Sequence, residues 1–412
     1  MSSHSTRQSK PKKPRPDFPL FPHQRGYWAK KVRGKLHYFG RISDDPKGQA
    51  ALALWLDQKD DLLAGRTPRR TPDDGLTVAD LCNHFATAKE QQREAGEIAK
   101  CTFNEYFATC KFLVQSFGRN RLVGDLAADD FQALRANLAR RYGVYKLSKE
   151  IQMIRTIFKY GLDAGLIDKL VRFGPTFKKP ASRIMRAHRQ SNGNKMFESD
   201  QIRTLIDAAR QPLKAMILLG INCGFGNHDC GMLPLDAVDL KSGWVNFPRP
   251  KTAIERRCPL WPETIRAIRE ALAQRRTTKC REHYRLMFTT KYGLPWAKDT
   301  SDSPVAKEFR KLLSVIDAAA DQDAKERKVK PRPKIHRRGL GFYALRHTFE
   351  TMGGESRDQV AVNHIMGHAD ASMAGIYRER ISDERLRDVV TVVRHWLFPS
   401  KMYSSRFLGI AM

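Results

Sequence analysis

The segment HIMGHADASMAGIYRER, residues 364–380, places His368 after a glycine and Tyr377 nine residues further on, among arginines. Cleavage of a DNA strand without a metal needs a nucleophile that can leave again, cations that hold the phosphate oxygens, and an acid for the departing 5′ oxygen. A tyrosine phenolate suits the first role, the planar fork of arginine the second, and lysine or histidine the third. Tyr377 is therefore either a reactive group or an aromatic side chain that packs in a core.

The charge of the chain indicates an anionic partner. Its 412 residues carry a formal net charge of +30, from 74 lysines and arginines against 44 aspartates and glutamates. Nucleic acid, polyphosphate or an acidic membrane would bind such a surface. No run of 18 apolar residues is present, and the basic start MSSHSTRQSKPKKPRP precedes no apolar stretch, so neither a membrane span nor a secretory signal is expected. Double-stranded DNA is the predicted partner.

Neither a disulfide framework nor a metal site is expected. The seven cysteines are scattered and form no Cys-x-x-Cys pair, which is typical of a reduced cytoplasmic protein. His364 and His368 have the spacing of a zinc-binding helix, but Ile365 stands where a metalloprotease has glutamate, and Gly367 ends the helix. We expect no cofactor and no metal, and a cytoplasmic, nucleoid-associated location.

The order of elements predicts a mainly α fold with small β elements, an α+β chain of two or three domains. Residues 1–16 form a predicted disordered basic tail, and 399–412 a second tail. Between them the pattern predicts four parts, which are a small β-hairpin and helix domain with its linker at 17–75, a helical domain at 76–175, a basic linker at 176–195, and a catalytic domain at 196–398.

Basic residues mark two stretches as predicted DNA contacts. GYWAKKVRGKLHYFG, residues 26–40, is typical of a β-hairpin that turns at Gly34, with basic side chains on both strands. The basic linker suits a strap that encircles DNA. In both places the alternative is an ordinary surface with solvated lysines. The residues predicted to bind DNA are Lys30, Lys31, Arg33, Lys35, Lys178, Lys179, Arg183 and Arg186.

Helix signals locate the elements that must position the chemistry. Thr77 is a predicted N-cap, and Phe131, Leu134 and Leu138 form one apolar stripe of a later helix. Ser199 is a predicted cap of the first catalytic-domain helix. GWVNFP and RRCPL are predicted to pair as a hairpin, and two glycines, at 353 and 354, to stop the helix of GFYALRHTFETM. Gly367 is predicted to end the next helix.

These pieces in this order resemble the C-terminal signature of the tyrosine site-specific recombinases, the phage integrase family. That signature has His-x-x-Arg on one helix, Gly-His after the next helix, and then the tyrosine, as in YALRHTFET and IMGH here. The hairpin that carries Lys251 before RRCPL, and the stretch GINCGFGNHDCGMLPLDAVDL, are similar to earlier parts of the family's catalytic domain. The resemblance covers 196–398, and it implies that core-binding and arm-binding domains precede this domain.

The resemblance implies a role for each candidate. Tyr377 is the implied nucleophile, which forms a 3′-phosphotyrosine. Arg346 and His368 are implied to hold the phosphate, and Lys251 to protonate the leaving oxygen. Considered alone, Tyr377 could be a buried packing residue, Arg346 part of a surface ion pair, and Lys251 a solvated side chain. The family implies site-specific recombination by a homotetramer on two duplexes.

Two positions depart from the family pattern. Tyr343 stands at the histidine of His-x-x-Arg, where it can donate one hydrogen bond but brings no charge at neutral pH. Gly226 stands where the family has its first catalytic arginine, and Asp229 where it has glutamate. Losing one preorganised donor costs on the order of 10²–10³ in rate.

The gap at position 226 leaves alternatives open. Asn227, His228 or an arginine from 337–338 could substitute for the lost guanidinium. Alternatively, the chain is a DNA-binding protein on the recombinase fold that no longer cuts. A third possibility is a topoisomerase-like relaxase that uses the same tyrosine chemistry.

Overall fold

The computed structural model describes residues 13–64, 75–278, 280–298, 303–370 and 372–399. Most of the predicted N-terminal tail, the linker residues 65–74 and residues 400–412 lie outside these ranges. The described residues form helices with two small antiparallel sheets, so the predicted mainly α fold class is confirmed. Three hydrophobic clusters follow one another along the chain. The exact domain boundaries stay a prediction.

The N-terminal cluster combines a three-stranded sheet with one helix. The strands are β1 (Phe21–His23), β2 (Tyr27–Val32) and β3 (Lys35–Arg41), and the helix is α1 (Gln49–Ala64). The predicted hairpin joins β2 to β3, and its turn takes positive φ at both central positions, +49° at residue 33 and +82° at residue 34. Such turns match the twist of paired strands.

The helical domain is built around one phenylalanine. Its helices are α2 (Val78–Glu94), α3 (Lys100–Phe117), α4 (Ala128–Arg141) and α5 (Val144–Asp163). Thr77 caps α2 as predicted, since its hydroxyl accepts the Asp80 N–H at 3.1 Å. Phe131 lies edge-on to four other rings at centroid distances of 4.7–5.5 Å, those of Phe117, Phe158, Phe173 and Phe177.

The predicted basic linker 176–195 differs from the expected flexible strap. Phe177 is fully buried in the core of the helical domain, so the packed region extends past residue 175. Further on, Ser182–Ser191 forms helix α6, which buries none of its side chains. The prediction missed this helix because its ten residues are dominated by basic and polar side chains, which are also typical of a linker.

The third cluster contains the elements that position the candidate site. Its central helix α8 (Leu213–Asn222) is buried at every position except Lys214 and packs against six other helices. The other helices of this region are α7 (Ser199–Ala208), α9 (Asn227–Met232), α10 (Pro262–Ala273), α11 (Pro304–Glu326), α12 (Ala344–Gly354), α13 (Gln359–Met366), α14 (Met373–Ile376) and α15 (Asp383–Leu397). The sheet orders β4 (Val238–Asp239), β5 (Trp244–Asn246) and β6 (Arg257–Pro259), and it includes the predicted hairpin.

Two helix ends decide the geometry of the site. Gly367 ends α13 in the left-handed region at φ +63°, as predicted, and the chain then turns toward His368. Both glycines at 353 and 354 belong to α12, which ends with the second. The predicted cap at Ser199 is wrong by one position, because Glu198 is the N-cap of α7 and Ser199 is its first helical residue.

In the part of the chain that the structure describes, no helix is apolar and long enough to cross a membrane.

Candidate active site

Arg346 is the best-fixed of the predicted site residues. It lies on α12 and is only 2% exposed to solvent. Its guanidinium donates to the Gly224 carbonyl and to the Met366 carbonyl, each at 2.6 Å. These bonds join α12 to the loop after α8 and to the end of α13. The alternative of a surface ion pair is therefore wrong for this residue.

The surroundings of Arg346 concentrate positive charge. Burial lowers the pKa of Arg346, and the charge of Arg249 lowers it further. Arg249 itself donates to the Gly367 carbonyl at 3.3 Å, one residue beyond an acceptor of Arg346. Arginine stays protonated in proteins, so these neighbours gather cationic groups that an anion would stabilise.

His368 lies at the start of the segment that leads to the tyrosine. Its backbone N–H donates to the Asn363 carbonyl at 3.0 Å, and its Nδ1 lies 3.8 Å from a Glu350 carboxylate oxygen. Burial lowers the pKa of His368, and the charge of Arg346 lowers it further, against the opposing effect of Glu350. The imidazole is therefore mainly neutral at pH 7 and can donate one hydrogen bond to an oxygen.

Tyr343 and Gly226 lie side by side. Tyr343 is the N-cap residue of α12, is about half exposed, and packs its ring edge-on against His347 at 5.5 Å. A Cβ built on Gly226 would lie 3.1 Å from Cε2 of Tyr343 and 3.2 Å from Oδ2 of Asp229. The space that a side chain at position 226 would enter is therefore already bordered by the tyrosine ring and the aspartate.

The proposed substitutes for the missing arginine lie elsewhere or have other partners. Asn227 begins α9, and its amide donates to the Ser303 hydroxyl at 3.1 Å, toward the start of α11. Arg337 donates to the Asn194 carbonyl at 2.7 Å. Neither His228 nor Arg338 has a described contact with Arg346. None of the four is joined to the Arg346 cluster by a hydrogen bond among the described residues.

An arginine that sequence reasoning missed occupies this region. Arg256 precedes β6, is 3% exposed, and its Nη2 donates to Asp229 Oδ1 at 2.8 Å. Its Nε donates to the Phe247 carbonyl at 2.6 Å, and its guanidinium lies 4.2 Å from the Phe225 ring centroid. The only signal for it in the sequence is the Arg-Arg pair of RRCPL. Consecutive residues along a strand point to opposite faces, so only one of the two arginines can face the site. The other member, Arg257, pairs instead with Asp383.

Tyr377 is 75% exposed and follows the short helix α14. The alternative of a buried packing tyrosine is therefore wrong. Among the described residues its phenol has no hydrogen-bond partner. The segment is held by Asp370, which accepts from the Ser372 hydroxyl at 2.6 Å and from Arg378 at 2.9 Å.

A cleft of about 440 Å³ separates the tyrosine segment from the hairpin loop, and His368 lines it together with Ile254, Gly375 and Arg378. Lys251 is exposed in that hairpin loop. The loop is fixed by two hydrogen bonds, because the backbone N–H groups of residues 252 and 253 both donate to the Arg249 carbonyl. The structure thus brings Tyr343 and His368 near Arg346, which is bonded to the Gly224 carbonyl. Lys251 and Tyr377 are exposed on two other segments, the hairpin loop and the stretch after α14.

The residues predicted to bind DNA are exposed except for Lys30, which is partly buried, and two of those in the N-terminal sheet also have contacts within the protein. Lys30 donates to the Pro19 carbonyl at 2.8 Å and lies over the Trp55 ring, which gives it a structural role as well. Arg33 reaches the Leu63 carbonyl at 3.4 Å. Arg33 and the remaining residues are open to solvent, with Lys31 and Lys35 on the hairpin, Lys178 and Lys179 before α6, and Arg183 and Arg186 on α6. Their contact with DNA stays a prediction.

Comparison with known proteins connects this geometry to one family. Residues 195–384 match the family model described as Phage integrase family. No curated protein matches the chain. A solved structure of the Tn1549 transposon integrase with a circular intermediate DNA is similar, with 14% identity and a TM-score of 0.54 over 76% of this chain and 98% of that chain. A lambda integrase tetramer bound to a Holliday junction matches with 14% identity and a TM-score of 0.47, over 92% of this chain and 98% of that chain.

Proposed function

Since the chain belongs to the phage integrase family of tyrosine recombinases, we propose that it cuts and rejoins DNA through a 3′-phosphotyrosine intermediate. One observation supports this most directly. Arg346 is a buried cation fixed by two main-chain carbonyls, and its charge acts on His368, which lines a cleft that also borders the segment of Tyr377. Fixed donors at a phosphate are what electrostatic catalysis of such a displacement requires.

In the proposed step the phenolic oxygen of Tyr377 attacks the scissile phosphorus. The bond from phosphorus to the 5′ oxygen breaks, Lys251 donates a proton to that oxygen, and the phenolic proton passes to solvent. Arg346, His368 and Tyr343 donate to the non-bridging oxygens, where charge builds up in the transition state. The phosphotyrosine ester retains the energy of the broken bond, so a 5′ hydroxyl of another strand can reverse the step and join the DNA.

Trapping the covalent intermediate tests this function. Nicked duplexes from the DNA that flanks the gene would be incubated with wild type, Tyr377→Phe and Tyr292→Phe. Tyr292 is a matched control, since it is a catalytic-domain tyrosine that is 71% exposed. We expect a denaturation-resistant protein–DNA adduct with wild type and Tyr292→Phe and none with Tyr377→Phe. An adduct that survives Tyr377→Phe would rule out this nucleophile.

We further propose that four copies of the chain act on two duplexes in the cytoplasm, at the nucleoid. Each copy offers one candidate nucleophile, and two duplexes contain four strands to cut. The mass of the complex with a four-way junction tests this, since a dimer as the largest active species would contradict it.

The glycine at position 226 favours a second candidate, a DNA-binding protein that does not cut. This candidate predicts salt-sensitive, site-selective binding without any adduct. A relaxase would instead relax supercoiled DNA that contains no special site. Adduct formation and site dependence, measured on the same preparations, separate the three.

A further inference from the structure

Arg256 is a buried cation with one unused donor. Its Nε and Nη2 have partners in Phe247 and Asp229, whereas its Nη1 is buried without a hydrogen-bond partner among the described residues. A buried charged donor without a partner costs free energy, and an acceptor oxygen from a ligand would remove that cost. The charge of the donor favours an anionic ligand.

The partner of Arg256 identifies the place it fills. Asp229 accepts from the Gly226 N–H at 2.6 Å through one oxygen and from Arg256 through the other. The pairing therefore puts a guanidinium beside the position of the missing arginine, supplied from the hairpin instead of from α9. A side chain at 226 would meet Asp229 and the Tyr343 ring at its first carbon.

Arg256 and Arg346 contact the same two segments of the chain, residues 224–225 and 366–367. Arg346 donates to the Gly224 carbonyl, and the next residue, Phe225, stacks on Arg256. On the other side, Arg346 donates to the Met366 carbonyl, and a Cβ built on Gly367 would lie 3.4 Å from Cδ of Arg256. The charge of Arg256 also contributes to lowering the pKa of Arg346, after burial and Arg249. The two guanidinium groups thus lie close together.

We propose that Arg256 is a catalytic residue that donates through Nη1 to a non-bridging oxygen of the scissile phosphate, in place of the arginine absent at Gly226. With Arg346 it forms a two-arginine phosphate clamp. This inference rests on the proposed function, since the phosphate it binds is the one that Tyr377 attacks. It also removes the main reason to regard the chain as an inactive relative.

Single-turnover cleavage of two nicked duplexes tests the clamp, one with a native scissile phosphate and one with a methylphosphonate there. A methylphosphonate lacks one anionic oxygen and so needs less positive charge. For Arg256→Gln we expect a loss on the order of 10²–10³ on the native phosphate and a clearly smaller loss on the methylphosphonate. The control is Arg257→Gln, which should cleave both within a few-fold of wild type. Equal losses for Arg256→Gln on both duplexes would overturn the proposal.

The buried pair with Asp229 makes folding of Arg256→Gln a concern, so two more variants accompany it. Arg256→Lys keeps the charge but not the fork, and Arg256→Gln/Asp229→Asn leaves a neutral pair that can hydrogen bond. We expect both to cleave the native phosphate more slowly than wild type. A double variant that melts like wild type and cleaves at the wild-type rate would overturn the proposal.

A binding measurement separates this proposal from the function it rests on. We expect inorganic phosphate to raise the melting temperature of wild type and Tyr377→Phe, and to raise that of Arg256→Lys less. If no variant forms an adduct but this difference appears, the clamp stands and the tyrosine chemistry fails. If the adduct forms and the phosphate response is the same in Arg256→Lys, the clamp fails and the recombinase function stands.

Discussion

The two halves of the candidate site are built in opposite ways. Arg346 and Arg256 are 2% and 3% exposed and hydrogen bond to main-chain carbonyls, and Arg256 also pairs with a carboxylate. Tyr377 is 75% exposed and follows a helix of four residues, which an exposed carboxylate at Asp370 holds through side-chain contacts.

This difference assigns separate tasks to the two regions. A buried cation that the fold already orients needs little reorganisation when charge develops on a phosphate. A segment with few buried contacts opens at low free-energy cost, so it can change position when DNA binds. We therefore expect changes in the arginine region to affect both stability and cleavage, and changes in the tyrosine segment to affect cleavage alone.

Arg346→Lys should have the largest effect. A single ammonium group cannot span the Gly224 and Met366 carbonyls as the fork does, so two buried acceptors lose a good donor. We expect cleavage to fall on the order of 10²–10³ or more, and the melting temperature to fall as well. Arg380→Lys, on the exposed side of the tyrosine segment, is the control. Slow cleavage with unchanged melting would show that the arginine is not fixed by its buried contacts.

Gly375→Ala tests the tyrosine segment. A Cβ at this position would lie 2.6 Å from both Cγ and the carbonyl oxygen of Asp370, so the chain before Tyr377 must shift. A misplacement of about 1 Å costs roughly 10²-fold in rate, so we expect a loss of this order with unchanged melting temperature. Gly354→Ala is the control, because its Cβ would meet only a glutamine side-chain oxygen at 3.9 Å. A drop in melting temperature for Gly375→Ala would contradict the division of tasks.

Features of local origin were predictable from the sequence. The stripe of Phe131, Leu134 and Leu138, the cap at Thr77 and the left-handed Gly367 each follow from neighbours within a few residues. Both predicted hairpins are also present, since their turn residues and strand lengths are encoded locally.

The arginine clamp was not predictable, because it depends on tertiary contacts. Arg256 and Asp229 are 27 residues apart, and no local pattern connects a residue before a strand to a residue in a short helix. Gly226→Arg would put back the arginine that the family pattern has at this position. The new guanidinium would compete with Arg256 for Asp229 and press on the Tyr343 ring, so we expect no gain in cleavage from that substitution alone.

Asp370→Asn should lower the DNA cleavage rate less than Arg346→Lys or Gly375→Ala does. The contact with Ser372, followed by that with Arg378, lowers the pKa of Asp370 to about 2. The carboxylate therefore stays charged from pH 5 to 9, and its contribution is lost only as the pH falls through about 2. We expect the amide to weaken the contact with Arg378, which would speed tryptic cleavage after that residue and change the DNA cleavage rate by roughly a few-fold. An unchanged proteolysis rate would indicate that backbone contacts alone hold the segment.

The smallest expected effect is a pH dependence of the melting temperature, caused by histidines on the arginine side of the site. Burial is the main cause that lowers the pKa values of His347, His364 and His368 from 6.5. As the pH falls below 6.5 the unfolded chain takes up these protons first, so stability decreases until the pH passes the lower folded pKa values. We expect the melting temperature to fall between pH 7 and pH 5, and His364→Gln to reduce the slope. Asp370→Asn should keep the wild-type slope, because Asp370 does not titrate in this range; a changed slope would mean that the two regions are coupled.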